Sequence, residues 1–350
     1  MRLRPFAGDT EYTRLLDFIV DTEQSLDLGY VLPPPLETLK QLFPTGEAWL
    51  ALQGETVVGA LTVRSAAKWA PSCFVRLLAN QDTTLQELCA RLLEAAKTRQ
   101  YRWIRTAVFG YQERRFNLLK RLGFVVGVTV PRSVYFDDKV FDRQLVFQDI
   151  GSRYSIPPRL YVGKESLYGG EVSKPQKKTA QGSLQMRFRL ARSEDAEAWA
   201  ESVSTVGVFK FLGMGQYEGH MSPQEARERL SRLAADRDSG LIVAEDTATQ
   251  RAIGFASLEV YKPDVMRHVA SVGMHVAPAW QGRGVGSLLL KEVERLAKRK
   301  HLLQLELSAF APNARALHLY RRCGFRDCGE IPGPLIDDYT TELYLYKDLT

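Results

Sequence analysis

The sequence has little cysteine and no long hydrophobic run, and each absence narrows the kind of protein it encodes. Four cysteines among 350 residues are too few for the disulfide framework of a small secreted domain. Cys323 and Cys328 would need two further ligands nearby to hold a metal, so we expect four free thiols and no metal. No stretch approaches the roughly 18 uncharged apolar residues that span a bilayer, and no apolar core of a signal peptide follows Arg2 and Arg4. We therefore expect a cytoplasmic protein that does not bind a membrane.

A strong excess of one charge sign is also absent from most of the chain. The net charge is +6, and the basic excess is concentrated in residues 151–183, whereas residues 1–150 and 184–350 are close to balance. Nucleic-acid-binding domains present a basic surface to the phosphate backbone. We therefore expect no nucleic-acid partner, and we interpret Lys174–Lys178 as part of a solvated linker.

The composition is that of a globular protein with more than one domain. Hydrophobic residues make up 45% and charged residues 25% of the chain, which excludes a disordered, collagenous or coiled-coil protein. The length exceeds the roughly 100 to 200 residues of a typical domain. Residues 151–183 are rich in Gly, Ser, Pro, Lys and Gln and have no hydrophobic periodicity, as is usual for a linker. The sequence thus predicts domains at 1–150 and 184–350, joined by this linker.

The two predicted domains resemble each other. Leu118–Phe124 matches Leu319–Phe325 without a gap, and both halves finish on an alternating strand, at residues 145–150 and 344–349. A duplicated domain is the simplest explanation.

The second half alternates strands and helices in an order that predicts a mixed sheet. Ser222 followed by Pro223 is typical of a helix start, and hydrophobic periodicity gives the other elements. We predict strands at 184–190, 240–246, 252–261, 269–276, 302–309 and 339–347, and helices from about Ser193, from Ser222, at 287–300 and at 313–322. The fold class is α/β in the mixed (α+β) sense, with antiparallel early strands rather than a doubly wound parallel sheet.

A glycine-rich loop after Val276 has the features of an anion-binding site. Such a loop collects free backbone N–H groups at a helix N-terminus, and its glycines let a phosphate approach the backbone. A nucleotide-binding P-loop would end in Gly-Lys-Ser/Thr, and no lysine stands before Ser287. A dinucleotide loop would place its third glycine at Ser287, although Glu306 lies at a suitable distance to contact a ribose.

A third anion, the pyrophosphate of coenzyme A, fits the motif best. Gln281-x-x-Gly284-x-Gly286 follows a strand ending in Val276-x-Pro278, and a helical segment from Asn313 through Tyr320 to Gly324-Phe325 comes next. This pattern resembles the GNAT superfamily of acyl-CoA-dependent N-acyltransferases across the whole second half. The resemblance implies two tandem GNAT-like domains, each with a mostly antiparallel central sheet flanked by helices.

The resemblance also implies a cosubstrate and the residues that hold it. Acetyl-CoA would be the cosubstrate, an amine the acceptor, and direct N-acetyl transfer the reaction. Asn313 would contact the cofactor arm, and Met274 and Val276 would offer backbone groups to the pantetheine and thioester. The pyrophosphate would lie on Gln281, Gly282, Arg283, Gly284, Val285 and Gly286.

Acyl transfer to an amine needs a proton acceptor and a proton donor. Tyr320 matches the family's general acid, seven residues after Asn313 on the predicted helix. Some members carry a glutamate on the strand before the loop, but Ala270 stands at that position. The general base is therefore open, with Glu259 as the working candidate and with His275, Glu306 and Glu342 as alternatives that act through a water.

The first half lacks the corresponding residues. Residues 80–85 align with 281–286 and read Asn-Gln-Asp-Thr-Thr-Leu. Their side chains would block the approach of a phosphate to the backbone, and the negative charge of Asp82 would repel it. Gln112 replaces Asn313, and Leu119 replaces Tyr320. We interpret residues 1–150 as a degenerate GNAT-like domain, an arrangement similar to that of mycothiol synthases, tandem acyltransferases with one active half.

Two function classes follow from these observations. The first is an acetyl-CoA-dependent N-acetyltransferase that acts on a small amine, a peptide or a protein. The alternative is a non-catalytic acyl-CoA-responsive binding protein, which would need the glycine loop but no proton donor. A dinucleotide oxidoreductase is a distant third class. The sequence indicates neither the acceptor nor the oligomeric state.

Overall fold

The computed structural model describes residues 1–65, 72–99, 101–150, 185–204, 222–311, 313–332 and 341–349. The predicted linker lies outside this set. The described residues fall into two compact units. The first consists of those within Met1–Arg153, Tyr261–His268 and Cys328–Tyr344, and the second of those within Tyr154–Val260, Val269–Asp327 and Leu345–Thr350. Two short segments of the predicted second domain therefore group with the first unit.

The first half of the chain forms one sheet with helices on both faces. The strand order is β1-β2-β3-β4-β5-β7-β6, and its pairs are antiparallel except for the parallel pair β4–β5. The strands are β1 Arg2–Pro5, β2 Ala48–Gln53, β3 Thr56–Ser65, β4 Ser72–Ala79, β5 Trp103–Phe109, β6 Val125–Phe136 and β7 Lys139–Asp149, and the helices are α1 Asp9–Asp21, α2 Leu36–Leu42, α3 Asp82–Thr98 and α4 Glu113–Arg121.

Successive strand residues in this half serve two different cores, because strand side chains alternate between faces. Leu78 packs with the buried side chains of α1 and α2. Its neighbour Leu77 packs with those of α3 and α4. Helices therefore cover both faces of the sheet.

The second half repeats this strand order as β8-β9-β10-β11-β12-β14-β13. Pairs β8–β9, β9–β10 and β10–β11 are antiparallel, and β11–β12 is parallel. The strands are β8 Met186–Leu190, β9 Gly240–Asp246, β10 Arg251–Val260, β11 Val269–Val276, β12 Gln304–Phe310, β13 Arg326–Pro332 and β14 Thr341–Asp348, and the helices are α5 Ala196–Ser204, α6 Pro223–Ala235, α7 Val285–Arg299 and α8 Ala314–Arg322.

These elements confirm the mixed α/β class and most of the predicted order. Ser222 caps α6 as predicted, since its Oγ accepts a hydrogen bond from the backbone N–H of Glu225 at 3.2 Å. β13 was not predicted, because its sequence lacks alternation and contains Gly329. The last predicted strand begins at Thr341, and residues 339–340 lie outside the described residues.

A buried ionic cluster fixes the start of the second unit. The Arg189 guanidinium on β8 donates to both carboxylate oxygens of Asp195, at 2.6 and 2.8 Å, and its Nε donates to Glu245 on β9 at 2.7 Å. These hydrogen bonds hold the pKa of the Glu245 carboxyl below its usual value. Buried charges need partners of this kind, so the cluster accounts for the acidic residue that follows β8.

Two further findings concern the described residues alone. None of their helices is long and apolar enough to cross a bilayer. They contain no group of three or more His, Cys, Asp or Glu side chains placed to hold a metal ion.

Candidate active site

Strands β11 and β12 separate halfway along their length and leave a fork in the sheet. Their parallel pairing runs from Val269 opposite Gln304 to Ser271 opposite Glu306. Beyond that point β11 continues to Val276 and β12 to Phe310. The side of β11 that faces β12 is thus open from Val272 onward.

Hydrogen bonds to β10 show which backbone groups face this fork. The Ala277 N–H donates to the Ile253 carbonyl at 3.0 Å, and the Gly273 N–H donates to Ser257 Oγ at 3.2 Å, both on the β10 side. Because backbone groups of successive strand residues point to opposite edges, those of Met274 and Val276 point into the fork. The two residues that the sequence predicts to offer backbone groups therefore face the fork, where the Val276 carbonyl accepts from Gln281.

The glycine loop is fixed to the end of β11 by Gln281. Its Nε2 donates to the Val276 carbonyl at 2.9 Å, and its Oε1 accepts from Arg315 Nη1 at 3.0 Å. Gly282 and Gly284 have φ of 75° and 88°, a left-handed conformation that strains other residues. Gln281 thus positions the loop, and its side chain is already bonded to the protein.

Helix α7 begins at Val285, and its N-cap Gly284 provides no side-chain cap; the first turn contains no acidic residue. The first backbone N–H groups of a helix have no partner within the helix, and the helix dipole makes this end positive. A Cβ at Gly284 would meet no heavy atom within 4 Å. The space in front of the helix is therefore open, as a bound phosphate requires.

Gly286 is needed for a different reason. A Cβ there would lie 2.9 Å from Leu319 Cδ2 and 3.5 Å from Met274 Cε. The start of α7, helix α8 and β11 meet at this point. The absence of a side chain at Gly286 lets these three elements pack together.

Three arginines add positive charge around the loop. Arg283 lies over the Trp280 ring, 5.1 Å from its centroid. Arg315 binds Gln281, and Arg322 Nη2 donates to Ser287 Oγ at 3.1 Å. The sequence analysis did not identify Arg315 and Arg322. Their i, i+7 spacing on one helix face was the available signal.

Helix α8 carries the other two predicted residues. Asn313 is its N-cap, and its Oδ1 accepts from the Ala316 N–H at 3.2 Å. Tyr320 lies two turns later, 7% exposed, with its ring 6.1 Å from that of Phe325. Burial raises the pKa of Tyr320 to about 12. Its hydroxyl therefore stays protonated at neutral pH and is available as a donor.

Two of the candidate bases flank the point where the fork begins. Glu259 lies opposite Ser271 on β10, and Glu306 lies opposite Ser271 on β12. Paired residues share a sheet face, so both carboxylates lie on the face covered by α5 and α6. The side chain of Glu259 is 42% exposed and its Oε1 bonds Arg229 Nη2 at 2.9 Å. Glu306 is only 4% exposed.

The other two candidates have different surroundings. His275 stacks on Phe255 with ring centroids 5.1 Å apart. Burial lowers the pKa of His275 to about 3, so its imidazole is a weak base. Glu342 belongs to the first unit, where its Oε2 accepts from the Tyr344 hydroxyl at 3.1 Å and lies 3.6 Å from Arg105 Nη1.

The first half contains a similar fork between β4 and β5, but its own side chains fill it. With the Gln24 amide oriented to suit its neighbours, its nitrogen donates to the Ala79 carbonyl at 3.1 Å. Gln112 Nε2 donates to Asp27 Oδ1 at 3.1 Å. At the start of α3, Asp82 forms an ion pair with Arg114 at 2.8 Å.

The N-cap of α3 corrects one expectation. Threonine is a favoured N-cap residue, so the sequence predicts Thr83 or Thr84 as the cap of this helix, but neither of them caps it. The helix begins at Asp82 and its N-cap is Gln81. The Thr84 hydroxyl instead donates to Asn80 Oδ1 at 3.1 Å.

Comparison with known proteins adds independent findings. Residues 210–325 match the model of the acetyltransferase (GNAT) family. A putative phosphinothricin acetyltransferase of Bacillus subtilis is 27% identical over 149 residues, which are 42% of this chain and 88% of that protein. A phosphinothricin N-acetyltransferase of Streptomyces coelicolor is 32% identical over 110 residues, 31% of this chain and 64% of that protein. A solved GNAT-family acetyltransferase from Streptococcus pneumoniae aligns with a TM-score of 0.43 and 21% identity, over 47% of this chain and 100% of its own.

Proposed function

We propose that the protein transfers an acetyl group from acetyl-CoA directly to a primary amine, because residues 210–325 match the model of the acetyltransferase (GNAT) family. The amine belongs to a small molecule, a peptide or a protein. The observation that carries this proposal is the convergence at Gly286. There the open helix start, the fork of β11 and the helix that bears Tyr320 come together.

The residues around the loop fit the phosphates of coenzyme A. Backbone N–H groups at the start of α7 and the guanidinium groups of Arg283, Arg315 and Arg322 are donors of the kind that bind phosphate. Met274 and Val276 would bind the amide-containing arm through their backbone groups, and Asn313 would orient it. Acetyl-CoA supplies the activated acetyl group as a thioester.

Side chains at the fork would carry out two proton transfers, one from the attacking amine and one to the departing sulfur. An alkyl ammonium with a pKa near 10 must lose a proton before it can act as a nucleophile. We assign this task to Glu259 acting through a water, with Glu306 as the alternative on the same face. Tyr320 would donate a hydrogen bond or proton to the departing sulfur, since its hydroxyl is protonated at neutral pH.

The first half is proposed to be a degenerate copy of the same domain. It has the same strand order, but Gln24, Asp27 and Gln112 fill its fork, and Asp82 stands at its helix start. We infer that it does not bind acetyl-CoA.

The decisive experiment measures release of free thiol from acetyl-CoA across a panel of amines. The panel starts with phosphinothricin, the acceptor named for one relative, and adds amino acids, polyamines and peptide N-termini. Acceptor-dependent release supports an enzyme. Binding of CoA without release across the panel would favour the acyl-CoA-responsive binding protein.

Tyr320→Phe tests the proposed proton donor. It removes the hydroxyl and keeps the ring against Phe325, so we expect turnover to fall by about 100-fold with CoA affinity nearly unchanged. Tyr135→Phe is the matched control, because that hydroxyl bonds Asp138 in an exposed hairpin of the first half. If turnover is unchanged in Tyr320→Phe under conditions where chemistry limits the rate, the Tyr320 hydroxyl is not the proton donor and the residue serves only in packing.

A further inference from the structure

His275 on β11 carries a buried nitrogen that has no hydrogen-bond partner among the residues that the structure describes. This atom is Nε2 of the imidazole. The ring stacks on Phe255 of β10, with centroids 5.1 Å apart and an angle of 23° between the planes, so this neighbour packs against the ring without offering it a hydrogen bond. Buried polar atoms in folded proteins are almost always hydrogen-bonded. The Nε2 atom therefore indicates a partner that comes from solution.

The imidazole is neutral and lies in a positive field. Burial, with a smaller contribution from the charge of Arg229, lowers the pKa of His275 to about 3. A neutral imidazole has one N–H donor and one unprotonated nitrogen. The positive charge that disfavours protonation of the ring also disfavours an ammonium group beside it. With the proton on Nε2, the fitting partner is an oxygen atom that accepts the hydrogen bond.

His275 lies beside the fork, on the sheet face that carries the candidate general bases. Phe255 is opposite it on β10, and the pairing of β11 with β12 ends at Ser271, so the fork borders His275 on its other side. Side chains two and four residues apart on a strand share a face. The imidazole therefore lies on the same face as Ser271, and Glu259 and Glu306 flank Ser271 on that face.

Gly273 leaves room for a ligand between His275 and these carboxylates. It lies midway between Ser271 and His275 on the same face, and it is exposed although it stands in the middle of β11. Two residues along a strand span about 7 Å. An amine held over Gly273 can therefore face the fork while an oxygen atom a few bonds away reaches the imidazole, and a water can link the amine to a carboxylate.

A second buried atom without a partner lies in the same layer. In the part of the chain that the structure describes, Ser202 Oγ on α5 is also buried and unbonded. Ser202 follows Trp199 by three residues, so the two side chains share a helix face, and the Trp199 ring lies against Phe255 with centroids 6.4 Å apart. The layer between α5 and the sheet thus contains two polar atoms that lack partners, which favours a polar ligand over an apolar one.

We propose, on the basis of the acetyl transfer proposed above, that His275 binds the amine acceptor by donating a hydrogen bond from Nε2 to one of its oxygen atoms. The acceptor lies over Gly273 with its amine toward the fork. Carboxylate and amide carbonyl oxygens accept hydrogen bonds of this kind. The site therefore selects amines that carry such an oxygen a few bonds from the nitrogen, as amino acids and amino amides do, and it disfavours alkylamines and polyamines.

Steady-state kinetics with acetyl-CoA and matched acceptors tests this role. The probes are L-leucine and L-leucinamide against isoamylamine, and L-lysine against cadaverine; isoamylamine and cadaverine lack only the carboxyl or amide group. His275→Phe keeps a ring against Phe255 and removes both nitrogens. We expect it to lower kcat/KM about 10-fold for the acceptors with an oxygen, and to leave kcat/KM for the plain amines and KM for acetyl-CoA within about threefold. Each acceptor is compared with itself in wild type and variant, so differences in amine pKa cancel.

His275→Gln is the conservative variant, because its amide nitrogen can lie close to the position of Nε2. It should recover part of the loss, which a role of the ring in packing alone would not predict. An equal loss for acceptors with and without an oxygen, or unchanged kinetics in His275→Phe, would overturn the assignment. Thermal unfolding shows whether each variant folds.

A second measurement does not depend on turnover. Nitrogen NMR of the full chain with CoA bound reports the hydrogen bonding of the imidazole, and the signal that either His275 variant lacks assigns it. L-leucine or L-leucinamide should shift the Nε2 signal, and isoamylamine should leave it in place. No shift with any probe would reject the inference, as would an Nε2 that is already hydrogen-bonded in the free protein, since a buried water would then be its partner. If no probe is acetylated while L-leucine shifts the signal, the proposed acetyl transfer to these amines fails and the oxygen-binding role of His275 stands.

Discussion

At the scale of single residues, Gly284 tests whether the open helix start binds the cofactor. We expect Gly284→Asn to lower CoA affinity by about 10-fold or more, which corresponds to about 1.4 kcal/mol. Asparagine tolerates the left-handed backbone, so its side chain would fill the space in front of α7 with little strain. Calorimetric titration with CoA measures the effect.

Gly46→Asn is the control for that substitution. Gly46 has φ of 84° and, like Gly284, would meet nothing within 4 Å on gaining a Cβ, but it lies in a turn of the first half. Both variants should unfold at similar temperatures, and Gly46→Asn should bind CoA normally. Near-native affinity in Gly284→Asn would contradict the assignment of the loop. Gly286 is unsuited to this test, because any side chain there would displace Leu319.

The residue scale also shows what could be predicted from sequence. Gly282 and Gly284 were recognisable, because glycines in a loop between a strand and a helix start let a phosphate approach the backbone. Asn313 was recognisable as the start of a helix. The bonding of Gln281 to Val276 and Arg315 was not predictable, since it depends on where α8 lies in three dimensions. The same limit applies to Gln24 in the first-half fork, because no local pattern connects it with Ala79.

At the scale of elements, strands β10, β11 and β12 place two candidate general bases on the same face of the sheet. Glu259 and Glu306 flank Ser271 on one face. If Glu259 acts through a water, Glu259→Gln should lower kcat by about 100-fold, while Glu306→Gln leaves kcat nearly unchanged. The reverse pattern would assign the base to Glu306. Equal, small effects in both variants would exclude both carboxylates.

Helices and strands also differ in how reliably the sequence predicts them. Helix α7 was predicted to within two residues because Leu289, Val293 and Leu296 recur at helical spacing on its buried face. Strand β13 was missed, because Gly329 has φ of 136° and the strand lacks an alternating pattern. The fork itself cannot be predicted from the sequence, since strand pairing depends on the neighbouring strand rather than on local residues.

At the scale of the whole molecule, both halves of the chain have one strand order and one kind of fork, yet they differ in what occupies it. In the second half the Met274 backbone faces the fork, and the Val276 carbonyl accepts from Gln281 of the glycine loop. In the first half Gln24 bonds the Ala79 carbonyl, which occupies the corresponding place in the strand. Under the proposed duplication, the first half keeps its fold although side chains fill its fork, because the cores on both sheet faces do not depend on the fork.

This difference predicts the stoichiometry of cofactor binding. The full chain should bind one CoA per molecule in calorimetric titration, and Gly284→Asn should weaken that single site without revealing another. Asp82→Asn breaks the ion pair with Arg114, but it should leave the stoichiometry at one, because the fork stays closed by Gln24 and Gln112. A second binding event in the wild type that persists unchanged in Gly284→Asn would mean that the first half holds CoA by contacts other than a glycine loop.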